Sequence, residues 1–263
     1  MSRYASYKEL KIEHRPNGVL LVTLNRPEKL NAMTYSMHAE IGRLWDEIDR
    51  DEETRVAVVT GAGRAFCSGN DLKNPDPDFD GVREIMKDAV RIVRGMVECD
   101  KPIISAINGV AVGAGLAVAL MADVTIAAED AKLIDGHTGV GVAAGDHSSL
   151  IWPLLCGIGR AKFYLWNLAP LTGKEAERIG LVTKALPLDQ VLPEALRLAD
   201  KLAQGPQHAI RGTKRAINGW LRSAMPIFEH SAALEMVDFF GADVDAARKA
   251  FRAKQPVKFP SAK

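Results

Sequence analysis

Twice in this chain a short run of β-branched and apolar residues leads straight into a glycine-rich turn. The first junction reads Val59-Thr60-Gly61-Ala62-Gly63-Arg64-Ala65-Phe66-Cys67-Ser68-Gly69-Asn70-Asp71-Leu72-Lys73. The second reads Ile107-Asn108-Gly109-Val110-Ala111-Val112-Gly113-Ala114-Gly115-Leu116. Strand–glycine–helix junctions of this kind restrict the chain to an α/β fold. Glycine lets the backbone approach a ligand closely, and a helix start offers free N–H groups with a favourable dipole. Two such turns converging would place two backbone donors on one oxygen, an oxyanion hole. Taken singly, each turn serves tight helix–sheet packing equally well. Other glycine chemistries fail on spacing. A dinucleotide fingerprint needs a third glycine where Phe66 and Val118 stand. Neither junction ends in Gly-Lys-Ser/Thr, and a nucleophile elbow at Ser68 would need glycines at Phe66 and Asn70. Ser68 therefore reads as a turn hydroxyl.

The remaining elements follow the same logic. Leu10 to Ile12 and Val19 to Leu24, joined through Pro16-Asn17-Gly18, predict a hairpin. Met37, Ile41, Leu44, Trp45 and Ile48 recur with helical period, as do Ile85, Met86, Val90, Val93 and Val97. Residues 74–80 predict a mobile, non-helical loop, Pro102 to Ile107 and Asp123 to Ala127 strands, and Ala111 to Ala122 a small-residue helix. The β–α alternation continues to about residue 186; beyond Leu188 the segments near 191–204, 206–222, 227–240 and 243–254 all read as helices. This places a boundary at about residue 200, between an α/β core (1–200) and a helical region (201–263). Trp220, Ile227, Phe228, Leu234, Met236, Val237, Phe239 and Phe240 make that region too apolar to be freely solvated. A subunit interface is favoured, because segregated terminal helices cannot build a large core alone.

Charge and cysteine content exclude several classes. Lys plus Arg number 34 against 33 for Asp plus Glu, which leaves no electrostatic footprint for nucleic acid or an anionic membrane. Cys67, Cys99 and Cys156 are odd in number and widely spaced, which predicts reduced thiols and no zinc site. The N-terminus lacks the apolar run of a signal peptide, and no stretch approaches 18 uncharged apolar residues. A soluble cytoplasmic protein is expected, with no metal.

Several segments together carry a resemblance to a known family. They are Leu24-Asn25-Arg26-Pro27-Glu28-Lys29-Leu30-Asn31-Ala32-Met33, Ala65 to Lys73, Lys101-Pro102 through Asn108-Gly109 into Gly113-Ala114-Gly115, Leu171-Thr172-Gly173-Lys174-Glu175-Ala176, and Gly180-Leu181-Val182. In this order they resemble the crotonase (enoyl-CoA hydratase/isomerase) superfamily over almost the whole chain. The resemblance implies a crotonase-like ββα spiral core with a C-terminal helical oligomerisation region that builds a homotrimer or a dimer of trimers. It also implies an acyl-CoA substrate, with no separate cofactor because coenzyme A is part of the substrate. The backbone N–H groups of Asn70 and Ala114 would polarise its carbonyl. Lys29, Leu30, Ala32, Ser68, Gly69, Asp71, Leu72 and Lys73 would lie along the coenzyme A, where cationic side chains suit its phosphates.

The chain departs from its relatives where they carry their two hydratase glutamates. Aligned from Gly113-Ala114-Gly115, the first falls on Ala117; aligned from Ala131-Lys132-Leu133, the second falls on His137. Ala117 cannot transfer a proton. His137 lies between glycines in a loop, and an imidazole with its ordinary pKa near 6.5 can take a proton from water at neutral pH. Such a base works best when a carboxylate fixes its tautomer. Asp146, nine residues on, is one candidate, and the β-diketone hydrolases of the superfamily are similar in carrying a His and an Asp on this loop. Asp146 would equally serve as N-cap of a helix beginning His147-Ser148-Ser149-Leu150. Asp135 offers another carboxylate. The dehalogenase branch places its aspartate one residue earlier, on Gly145, which counts against that chemistry. Three functions stay open. The first is an enzyme in which His137, oriented by Asp146, activates water against a C–C or thioester bond of an acyl-CoA or β-dicarbonyl compound. The second is a hydratase or isomerase with His137 in place of glutamate. The third is a non-catalytic scaffold or RNA-binding homologue, which the neutral charge disfavours.

Overall fold

The computed structural model describes residues 3–71 and 74–262. In chain order they form β1 (Leu10–Arg15), β2 (Val19–Leu24), α1 (Tyr35–Asp49), β3 (Val56–Gly61), β4 (Ala65–Cys67), α2 (Phe79–Glu98), β5 (Ile103–Ile107), β6 (Val110–Val112), α3 (Ala114–Leu120), β7 (Val124–Ala128) and β8 (Lys132–Ile134). Then come α4 (Ser148–Cys156), α5 (Ile158–Asn167), β9 (Leu171–Thr172), α6 (Gly173–Arg178), β10 (Lys184–Leu186), α7 (Leu188–Ala203), α8 (Gln207–Ile217), α9 (Gly219–Asp238) and α10 (Ala242–Ala253). The hairpin is present, with Asn17 and Gly18 both at positive φ in the turn.

From β3 to β8 successive strands are dealt alternately to two sheets. β1, β2, β3, β5, β7 and β10 form the larger sheet; β4, β6, β8 and β9 form the smaller. All neighbours in the larger sheet beyond the opening hairpin are parallel, as are β4–β6–β8. Each ββα unit thus leaves one strand in each sheet, which is the crotonase spiral. Asn108 staples two successive units together. Its side-chain amide donates to Gly61 O and Gly63 O, both at 2.9 Å, and its Oδ1 accepts from Gly61 N at 3.2 Å. The larger sheet is apolar on both faces, since every residue of β3 and β5 is buried, as expected of a parallel sheet covered on each side. Trp45 and Phe66 anchor the core, and Phe228 from α9 is fully buried with them.

Three local expectations are corrected. Ala111 to Ala122 is not one helix: Val110–Val112 is strand β6, paired to β4 and β8, and α3 begins only at Ala114. Gly113 has φ +50° and ψ −123°, a conformation that no helix continues through and that suits only glycine. Small residues with interspersed valines carry no period strong enough to reveal that boundary. The predicted loop is shorter than expected, because Asp78 caps α2 by accepting from Gly81 N at 2.8 Å. In the C-terminal region the break falls at Asn218, not near 223–226. Asn218 donates to Val97 O at 2.9 Å, and Pro226 sits inside α9. Burial of Phe228, Ala232 and Glu235 along one face holds α9 together across its proline. The helical region uses the core as its partner as well as leaving apolar surface free. Met236 and Phe239 pack on the core, while Trp220, Ile227, Leu234, Val237 and Phe240 remain exposed.

Candidate active site

The two glycine turns meet. β4 lies parallel to β6, with Cys67 opposite Ala111, so the segments that follow them run side by side. A Cβ on Gly115 would stand 2.4 Å from Cys67 Cβ, which only glycine allows, and this presses the start of α3 against the end of β4. After β4 the chain zips onto Met33: Met33 N donates to Gly69 O at 2.8 Å and Asp71 N donates to Met33 O at 2.9 Å. Asn70 is the residue bridged in parallel by this pair, so its own N–H points away from Met33. Ala114 is the first residue of α3, and its N–H has no partner within the helix. Among the described residues, neither amide donates to a protein acceptor. Beside Asn70 opens a cavity of about 430 Å³ whose walls include Tyr35, Ile85, Val142 and Phe239, with Val244 and Phe251 contributed by α10.

The segment expected along coenzyme A is only partly free to bind. Lys29 is exposed; Leu30 and Asn31 adopt positive φ, and Ala32 and Gly69 are buried. Ser68 N donates to Leu30 O at 3.0 Å, which brings the two predicted stretches together. Asp71 is held by Arg26 at 3.0 Å, and the same guanidinium donates to Ala32 O and pairs with Glu9 at 3.3 Å. Arg26 thus ties the two stretches to each other, a role that sequence reading missed because it looked for cations facing a ligand. Leu72 and Lys73 lie outside the described residues.

A second candidate group is a buried cluster of side chains. His137 follows β8 and is 9% exposed. Its Nδ1 lies 2.9 Å from Asp135 Oδ1, and its backbone N donates to the same oxygen at 3.2 Å. Ser148 Oγ donates to the other Asp135 oxygen. The carboxylate that fixes His137 is therefore Asp135, not Asp146, because a residue two positions away on the same turn reaches Nδ1 directly. Asp146 lies on the opposite side of the ring, its Oδ2 3.5 Å from Nε2, while its Oδ1 is 2.5 Å from His147 Nδ1. It does not cap α4, which opens at Ser148 without a side-chain cap bond. Asp135, Asp146 and His147 offer ligand atoms within 4.8 Å of one another. Asp146 is bonded to His147, and Asp135 to His137 and Ser148, so the cluster reads as a hydrogen-bonded network and not as an ion cage. Ala117 is buried in α3 and offers no acid.

A fourth charged group, from far along the chain, completes this cluster. Glu235 of α9 is 4% exposed, and its Oε1 stands 3.5 Å from His137 Nε2. It shares a helix face with Phe228, Ser231 and Ala232, so an acid on an apolar stripe was the sequence signal that could have revealed it. The chain is cut to receive it: a Cβ on Gly145 would lie 2.6 Å from Glu235 Cβ. Electrostatics follow from the crowding. Burial opposes an imidazolium, yet the charges of Asp135, Asp146 and Glu235 outweigh it and raise His137 well above 6.5. The expectation of an ordinary imidazole pKa is thereby corrected. Burial pushes Asp135 and Asp146 upward, but His137 and His147 outweigh it and hold both below the usual carboxylate range. Glu235 goes the other way: burial, reinforced by Asp146, Asp135 and Asp238, overcomes the pull of His137 and carries it up to about 8.

The family model for enoyl-CoA hydratase/isomerase matches residues 14–261. The chain belongs to this family. Among its curated relatives is 1,2-epoxyphenylacetyl-CoA isomerase of Escherichia coli (strain K12), 33% identical over 215 residues, spanning 80% of this chain and 82% of the relative. Among solved structures, an enoyl-CoA hydratase/isomerase from Mycobacterium paratuberculosis superposes with a TM-score of 0.88 at 33% identity, covering 94% of this chain and 99% of that one. A monofunctional enoyl CoA isomerase from M. smegmatis gives 0.71 at 30% identity, over 83% and 96% of the two chains. The protein is an enzyme of the enoyl-CoA hydratase/isomerase family with the crotonase fold. No helix among the described residues is long and apolar enough to cross a membrane.

Proposed function

We propose that this enzyme holds the carbonyl of an acyl-CoA thioester, or of a β-dicarbonyl compound, on the amides of Asn70 and Ala114, and that His137 transfers the proton that activates water. The observation that carries this reading is the asymmetry of His137. Nδ1 is anchored by Asp135 at 2.9 Å, while Nε2 has no contact closer than 3.5 Å with the carboxylates around it. An imidazole fixed tightly at one nitrogen and held only loosely at the other is the arrangement of a general base. Asp135 takes the orienting role expected of Asp146, and Asp146 stabilises the imidazolium from the opposite side. Two donors on one developing oxyanion support this, each typically worth about 10²–10³ in rate. Lys29, Leu30, Ala32, Ser68 and Gly69 would lie along the nucleotide end of coenzyme A. The exposed apolar residues of α9 support assembly with further copies of the chain, as a trimer or a dimer of trimers.

The bond broken distinguishes two forms of this function. In the first, water attacks the held carbonyl and a C–C or thioester bond breaks. In the second, favoured by the hydratase and isomerase names of its relatives, the same groups hydrate or isomerise an enoyl-CoA. The deciding experiment follows the enoyl-thioester absorbance of crotonyl-CoA, and separately the cleavage of acetoacetyl-CoA, with the protein and its His137→Ala variant. Acetoacetyl-CoA cleavage that disappears in the variant supports the first form; crotonyl-CoA loss that disappears supports the second. Full activity of His137→Ala on the reactive substrate ends the role given to His137. The sign of the pH dependence follows from the raised pKa. The base form of His137 grows as pH rises, so the rate climbs from neutral into mildly alkaline solution, where an unperturbed imidazole would already have reached its plateau.

A further inference from the structure

Ala117 removes one of the two proton-transfer groups that hydratases of this fold carry, and water addition or hydrolysis moves two protons. Glu235 is the one carboxyl of the cluster with an oxygen left over. Its Oε1 faces His137 Nε2 at 3.5 Å, and its Oε2 is buried without a hydrogen-bond partner among the described residues. Asp135 is bonded to His137 and Ser148, and Asp146 to His147. A buried, unpartnered acid oxygen is costly unless it carries out chemistry or a proton sits on it. Gly145 makes room for it, and Ser231, one turn earlier on α9, donates to Gly145 O at 3.0 Å and fixes the approach.

We propose that Glu235 is the second acid–base group of this site: it holds the proton destined for carbon while His137 takes the proton of water. The inference rests on the proton-transfer role proposed for His137. In the hydrolytic form, the oxygen of water bonds to the carbonyl carbon as its proton passes to His137 Nε2. The bond to the leaving carbon breaks with its electron pair kept on that carbon as an enolate, and the Glu235 proton joins that pair. Transfer from Nε2 to Glu235 Oε1 then restores both groups, with one water consumed. In the hydration form, the oxygen of water bonds to the β-carbon and the Glu235 proton goes to the α-carbon. Burial supports the protonated starting state, since it lifts Glu235 to about 8. The titratable groups facing the pair are Asp135, Asp146 and His147 from the loops around β8 and α4, Asp238 on α9, and His38 on α1, which acts on Asp146. The active form carries one proton between Glu235 and His137.

Two measurements test this, and the first needs no substrate. Infrared difference spectra of the whole protein between neutral and alkaline pH are expected to show the C=O stretch of a protonated carboxyl that disappears as pH passes about 8. That band is expected to be missing from Glu235→Gln and retained, at a shifted pH, in Glu235→Asp. The second follows deuterium uptake from D₂O at the α-carbon of butyryl-CoA, which requires proton transfer but neither hydration nor bond cleavage. Glu235→Gln is expected to slow uptake roughly 10²-fold or more with butyryl-CoA binding unchanged, and to remove the rise in uptake that accompanies ionisation of Glu235 as pH passes about 8. Glu235→Asp is expected to recover part of the rate. The proposal is overturned by a missing carboxyl band, or by uptake in Glu235→Gln that keeps the parent rate and pH profile. Uptake lost in Glu235→Gln but unchanged in His137→Ala keeps Glu235 and removes His137, so the two readings fail separately.

Discussion

The proposed site has two halves built by opposite means. One is backbone: the amides of Asn70 and Ala114, aimed by glycine turns that belong to the spiral core. The other is side chains: Asp135, His137, Asp146 and Glu235, drawn from two stretches of one loop and from a helix of the C-terminal region. The backbone half depends on conformation alone, so any substitution that keeps the turns keeps it. The side-chain half depends on identity, so an exchange of one charged residue there changes its chemistry. A fold can therefore retain one electrostatic device while the proton-transfer groups beside it change.

Removing the centre of the side-chain half is expected to have the largest effect. His137→Ala should lower kcat by roughly 10²–10⁴ with KM nearly unchanged, and should also lower Tm, because it leaves buried Asp135 without the histidine it is bonded to. A loss confined to KM would mean that the side-chain half only binds. Gly113→Ala probes the backbone half. A Cβ there meets nothing within 4 Å, so only the strained φ of +50° is felt, at about 1–3 kcal/mol of stability. Displacing the Ala114 amide should lower kcat by about 10²–10³. A variant with the stability loss but full kcat would show that this amide does not hold the oxyanion. Gly145→Ala sharpens the boundary between the halves, because its Cβ would push on Glu235 and on Ser231 O at 2.5 Å. A rate loss of up to roughly 10² is expected, with an altered pH profile, whereas the pH profile of Gly113→Ala should match the parent. The smallest effect is expected at Lys29, which is exposed. Lys29→Ala should raise KM for an acyl-CoA a few-fold, in line with about 0.2–1 kcal/mol for an exposed charge contact, and leave kcat alone.

Legibility in the sequence followed the same division. The hairpin, the apolar face of α1, the strands β3, β5 and β7 and both glycine turns were readable, because each is decided by neighbours a few residues apart. His137 was readable as a candidate because it interrupts a run of glycines, and Asp135 stood beside it as an open alternative. The start of α3 was not, since Ala111 and Val112 suit a strand or a helix equally until β4 and β8 claim them. Arg26 escaped notice because its partners Glu9 and Asp71 lie on different segments of the chain.

Local sequence determined that this chain would alternate strand and helix, turn on glycine at two junctions and carry an imidazole in a glycine-flanked loop. Strand propensity, glycine's conformational range and helical periodicity act over a handful of residues, and all of them are written in order along the chain. Only tertiary packing decided which carboxylate holds His137, that its pKa rises, and that Glu235 of α9 faces it. Proton affinity in a buried cluster depends on charges a few ångströms away in space, and the packing of α9 against the loop before α4, with a glycine at residue 145, is what brings those charges together.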